Sequence, residues 1–135
     1  MAERDYSGMP LPKKLGIREG SRVALAGAPA GFDLGALPAG ARVGPARGQL
    51  DVVVLFATKR AEVERRFEKL AASLDPAGRL WVAWPKKASR VGTDLTFEIV
   101  QTIGLAAGLV DNKSASVDDV FQGLQFVYRL KDRPR

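Results

Sequence analysis

Neither cysteine nor histidine occurs among the 135 residues. The first absence excludes disulfides, thiolate nucleophiles and zinc–sulfur centres. It fits a reducing compartment, so a cytoplasmic location is the expectation. The second removes the commonest transition-metal ligand and the usual general base near neutral pH, and with it any Ser-His-Asp triad. No apolar run approaches the ~20 residues a membrane-crossing helix needs. The opening Met1-Ala2-Glu3-Arg4-Asp5-Tyr6 is charged where a secretory signal is apolar, so no membrane partner is expected. Acid–base or hard-metal chemistry would fall to Asp94, Glu98, Asp111, Asp118 and Asp119, which show no diagnostic spacing. Asp94 reads as a helix cap and Asp118-Asp119 as turn residues. No catalytic residue, no metal ligand and no cofactor is assigned.

What is present suits one globular domain. The length can bury a core without disulfides or metal, and 46% of the residues are hydrophobic. The net charge is +6. An excess of that sign suits an anionic small molecule or an acidic protein surface as partner, or only a well-solvated exterior. Nucleic acid is the less favoured partner, because Lys and Arg are spread along the chain and no nucleic-acid motif appears.

Residues 1–18 read as an extended arm. Gly8, Pro10 and Pro12 oppose regular structure, and Lys13-Lys14-Leu15-Gly16 allow one helical turn. The domain proper is expected over 19–130, with a charged tail over 131–135. Arg22-Val23-Ala24-Leu25-Ala26 reads as a first strand, Phe32-Asp33-Leu34-Gly35-Ala36-Leu37 as a short helix and Ala41-Arg42-Val43 as a weak second strand. Leu50-Asp51-Val52-Val53-Val54-Leu55-Phe56-Ala57 is nearly all apolar and β-branched, as in a strand covered on both faces. A helix over 60–74 follows, with Val63, Phe67, Leu70 and Leu74 on one face. Asp75-Pro76-Ala77-Gly78 is a turn, and Leu80-Trp81-Val82-Ala83-Trp84 a buried strand. This βαβ unit requires parallel strands and a right-handed crossover. A helix capped by Thr93 or Asp94 carries Leu95, Ile99 and Ile103 at helical spacing. The last strands, 109–117 and 124–130, are too close for a crossover helix and should be antiparallel.

Several runs carry a family resemblance. They are Leu11-Pro12-Lys13-Lys14-Leu15-Gly16, Trp84-Pro85-Lys86-Lys87-Ala88-Ser89, Thr93-Asp94-Leu95-Thr96, Gly108-Leu109-Val110-Asp111-Asn112-Lys113, Val117-Asp118-Asp119 and Gly123-Leu124-Gln125-Phe126-Val127-Tyr128-Arg129. In that order they resemble short bacterial proteins grouped as "domain of unknown function 3052", with Phe121-Gln122 where that family has Trp-Ser. The family brings no established activity. The latter half also resembles the second half of a Rossmann-type methyltransferase. That resemblance implies a single three-layer α/β domain, a mostly parallel sheet in the order 2-1-3-4-6-5 with an antiparallel last strand, and helices on both faces.

Two loops are candidate sites. Gly27 and Gly31 follow the first strand, where glycines let backbone approach a nucleotide-type cofactor. Against that use, Pro29 removes a donor, and Val43-Gly44-Pro45-Ala46-Arg47 offers no carboxylate for a ribose. The second candidate joins Lys59 and Arg60, after the third strand, to Lys86, Lys87, Ser89, Arg90 and Thr93, after the fourth. Parallel strands deliver both loops to one sheet edge, the edge on which open α/β sheets bind ligands. The expected function is a non-catalytic binding domain with an anion-recognising edge. The alternatives are a small nucleotide- or S-adenosylmethionine-dependent transferase and nonspecific nucleic-acid binding.

Overall fold

The computed structural model describes residues 8–132. Six strands form one sheet: β1 (Arg22–Ala26), β2 (Arg42–Val43), β3 (Leu50–Phe56), β4 (Leu74–Pro85), β5 (Leu109–Ser116) and β6 (Phe121–Tyr128). Three helices accompany them: α1 (Leu11–Leu15), α2 (Arg60–Ala72) and α3 (Phe97–Ala106). The strand order is β2-β1-β3-β4-β6-β5, as the methyltransferase resemblance implied. β2, β1, β3 and β4 are parallel, while β6 runs antiparallel to both β4 and β5. The domain is therefore a single Rossmann-like α/β unit.

The apolar run of β3 is buried on both sides, because the sheet separates two cores. Val53 and Leu55 face α2 and α3, in a core with Phe67, Val82, Trp84, Val100 and Phe126. Val52, Val54 and Phe56 face α1, with Leu15, Ile17, Trp81 and Phe121. Trp81 and Trp84, three apart on one strand, thus point to opposite faces, as strand alternation requires. Phe67 meets Phe126 edge to face, with ring centroids 5.2 Å apart. Gly104 lets α3 close onto that pair, since a Cβ there would run into the Phe126 ring.

Both sheet edges are blunted against further pairing. β2 has only two residues, and the outer strand β5 carries Asp111, Asn112, Lys113, Ser114 and Ser116.

Several expectations are corrected. The arm folds from Leu11 onward: Gly16 caps α1 at φ 86°, and Leu15 and Ile17 are buried. Residues 1–7 and 133–135 lie outside the described residues. Phe32–Leu37 is not helical. Its Gly35 sits at φ 85° with its N–H on Asp33 Oδ1, a tight side-chain turn that breaks the helical path. The turn at Asp75-Pro76-Ala77-Gly78 is absorbed into β4, where the β3 pairing shifts register between Leu50 and Val52. The main chain of Gly78 packs so near Leu50 that a Cβ would lie 2.7 Å from its carbonyl oxygen. α3 begins later than expected, at Phe97, because the cap is Thr96, whose hydroxyl accepts the Ile99 N–H at 3.2 Å.

Candidate functional site

β3 and β4 end side by side, and the loops that follow them are tied together. The Thr93 hydroxyl donates to the Thr58 carbonyl at 2.6 Å, and the Arg60 N–H donates to Asp94 Oδ1 at 2.7 Å. The topological expectation therefore holds: residues 58–60 and 85–94 share the C-terminal edge of the parallel strands.

Those bonds also change which groups remain free to meet a ligand. The Ser89 hydroxyl donates to the Lys86 carbonyl at 2.6 Å, so Ser89 and Thr93 both direct their protons at backbone. The Arg60 guanidinium pairs with Glu64 at 3.2 Å, one helical turn on. Asp94 places a carboxylate over the first turn of α2, the position an anionic ligand would otherwise take. Lys59, Lys87 and Arg90 are exposed, with Arg90 held at φ 61°. Lys86 is half-buried and donates to the Ser116 hydroxyl at 2.6 Å.

The structure thereby brings in residues that sequence reasoning missed. Lys14, in the supposed arm, is 8% exposed and donates to the Ser116 carbonyl at 3.0 Å. Lys113 reaches back from β5 to the Lys14 carbonyl at 2.7 Å, with its ammonium 5.8 Å from the centre of the Trp81 ring. A Pro–Gly-bracketed helical turn signals that α1 exists, but two adjacent lysines give no sign of which one is buried.

The loop after β1 does not form a cofactor cradle. Gly27, at φ 71°, is required by its own sheet: a Cβ would lie 2.7 Å from the Phe56 carbonyl oxygen. No helix opens at Gly31. The Phe32 N–H closes a turn onto the Pro29 carbonyl at 3.1 Å. The Phe32 ring packs edge-on against Phe56 at 4.8 Å, and Phe56 against Phe121 at 5.2 Å.

No three metal-competent side chains gather among the described residues. No helix among them is long and apolar enough to cross a membrane. The Tyr128 phenol is pushed up from its ordinary 10.0 by burial, and it donates to the Ala71 carbonyl at 2.6 Å, away from the ligand edge.

A SAM-dependent methyltransferase from Aquifex aeolicus superposes with a TM-score of 0.57 at 17% identity, over 90% of this chain and 93% of that one. The fold is the methyltransferase fold. A TehB-like SAM-dependent methyltransferase from Corynebacterium glutamicum gives 0.54 at 13% identity, over 82% of each chain. Magnesium protoporphyrin IX methyltransferase from Synechocystis, with bound SAM, gives 0.50 at 16% identity; 69% of this chain covers 47% of that enzyme, about half its length. No protein-family model matches the chain, and no curated protein matches it. The resemblance to domain of unknown function 3052 is therefore unsupported.

S-adenosylmethionine is the cofactor such a fold implies, and the residues present do not fit it. The segment after β1 packs Phe32 onto Phe56 of β3, no helix follows to offer N–H groups, and β2 leads into Gly44-Pro45-Ala46-Arg47 without a carboxylate.

Proposed function

We propose that this protein is a binding domain that recognises a small anionic ligand at the C-terminal edge of its parallel strands and carries out no transfer reaction there. The observation that supports this reading is that Lys59, Lys86, Lys87 and Arg90 lie on two loops joined by the Thr93–Thr58 bond; Asp94 fills the start of α2, which leaves the ligand to the lysines and Arg90. Open α/β sheets bind ligands on this edge, and cations there raise the local concentration of anions.

The fold comparisons favour a second reading, a small S-adenosylmethionine-dependent transferase. A shared fold does not carry an activity by itself, and the β1 loop argues against this one. One titration separates the two. Thermal unfolding is followed with S-adenosylmethionine, S-adenosylhomocysteine and inorganic phosphate at low ionic strength. The binding-domain reading expects phosphate to raise the midpoint and both adenosyl compounds to leave it unchanged. Stabilisation by S-adenosylmethionine near ~2.7 kcal/mol, the value for a ligand at about 100 times its dissociation constant, would replace it with the transferase reading.

A further inference from the structure

We propose that Lys14, Lys86 and Ser116 form an oxyanion site whose ligand is a phosphate group. The proposal sharpens the edge-binding reading above and rests on it for the placement of the ligand. Two ammonium groups from distant parts of the chain converge on the two oxygens of one residue. Lys14 Nζ donates to the Ser116 carbonyl at 3.0 Å, and Lys86 Nζ donates to the Ser116 hydroxyl at 2.6 Å. Neither lysine makes an ion pair with a described carboxylate. The nearest acidic residue in sequence, Asp118, is turned into its own loop, where Oδ1 accepts the N–H groups of Val120 at 2.8 Å and Phe121 at 2.7 Å.

Lys14 is 8% exposed as a residue, and among the described residues the acceptor of its ammonium is a neutral carbonyl, so hydration is given up there without a compensating charge. The Lys86 ammonium, held by the other oxygen of the same residue, adds repulsion. If the role were only to fasten α1 to β5, a neutral donor would do so without either cost. A bound anion removes both costs at once and forms charge-assisted hydrogen bonds with each lysine.

The two lysines are also held in place by backbone. α1 is fixed by Trp81 Nε1 donating to the Leu15 carbonyl at 3.0 Å and Lys113 Nζ donating to the Lys14 carbonyl at 2.7 Å. Lys86 is clamped between its own N–H on the Val120 carbonyl at 2.7 Å and the Ser89 hydroxyl on its carbonyl at 2.6 Å. Little ordering remains to be done when a ligand arrives. Ser116 is exposed, and its hydroxyl now donates to the Asp118 carbonyl at 3.2 Å. It can turn that proton to the ligand once Lys86 has shifted to the anion.

The test is isothermal titration of inorganic phosphate and of AMP into the parent protein at low salt. The variants are Lys86→Gln, Ser116→Ala and Lys14→Met, with a Lys59→Gln/Lys87→Gln double variant as control. The site requires that the parent bind a phosphate group. Lys86→Gln should weaken binding by about tenfold or more, the effect of losing one charge-assisted bond, and the control double variant by less than about threefold at exposed positions. Equal affinity for the two probes assigns the site to the phosphate alone, and tighter AMP binding assigns it to a nucleotide. If Lys14→Met does not fold, Lys86→Gln and Ser116→Ala decide. Parent-like binding by both overturns the site. Binding lost in the control but kept in Lys86→Gln overturns this site alone and leaves the edge reading standing. No binding of either probe to folded parent overturns both.

Discussion

On one face of the sheet, α2 and α3 lie over a core in which Phe67 and Phe126 meet edge to face. On the other, a five-residue helix and the turns of residues 28–41 cover Trp81, Phe56 and Phe121. The first cover has its own periodicity: Val63, Phe67, Leu70 and Ala71 are the buried positions of an amphipathic helix. The second cover has none. It is fastened by bonds between side chains and backbone, from Trp81 to Leu15, from Lys14 to Ser116 and from Lys113 to Lys14. Both faces bury apolar side chains, but the turn-covered one also relies on a few polar attachments, each of which can be removed singly.

Three substitutions sharpen or break that contrast. The largest effect is expected for Phe67→Ala, on the helical face. Phe67 is 1% exposed, and truncation should cost ~3–5 kcal/mol in denaturant unfolding. A loss below about 1 kcal/mol would mean that α2 does not anchor this core. Trp81→Phe comes next, on the turn-covered face. It removes the indole donor to Leu15 and part of the ring, at ~1–3 kcal/mol. Hydrogen exchange should locate the damage: the Ile17 N–H, bonded to the Pro12 carbonyl at 2.9 Å, should lose protection while the α2 amides keep theirs. Equal loss in both would show the two covers to be one cooperative unit.

The smallest effect is the pH response of Tyr128, which joins β6 to the end of α2 through the Ala71 carbonyl. Burial raises its phenol from 10.0, so the fold favours the neutral form. A folded-state value above the unfolded one means that the contribution is fully present below pH 10.0 and is lost as pH rises through the higher folded value. Denaturant midpoints followed from about pH 9 to about pH 11 should fall more steeply for the parent than for Tyr128→Phe. Parallel curves would remove the phenol as the cause.

What could be read in advance followed the same division. The β3–α2–β4 unit was legible because periodicity and β-branching act locally, and right-handed crossovers then fix the neighbours. Phe67 was placed on the correct face by spacing alone. The strand at Arg42–Val43 was legible but the segment before it was not, because residues 32–37 carry apolar spacing that a side-chain turn at Asp33 overrides. The two loops do share one edge, but the groups expected there were too many. Topology delivers loops, but the hydroxyls of Ser89 and Thr93 were already committed to carbonyls that no sequence pattern reveals. Lys14 and Ser116 lie 102 positions apart, and their meeting depends on where α1 lands.

The position of β6 has a consequence for synthesis. β5 pairs with β6 alone, and β6 is made after it. A chain emerging from a ribosome therefore presents β5 with no neighbour, and β4 with one open side, until the last strand arrives. The polar side chains of β5 suit that interval, since an apolar strand waiting there would pair with whatever lay nearest. Insertion of β6 then completes three strands at once, and with them the Ser116 oxygens reach both lysines.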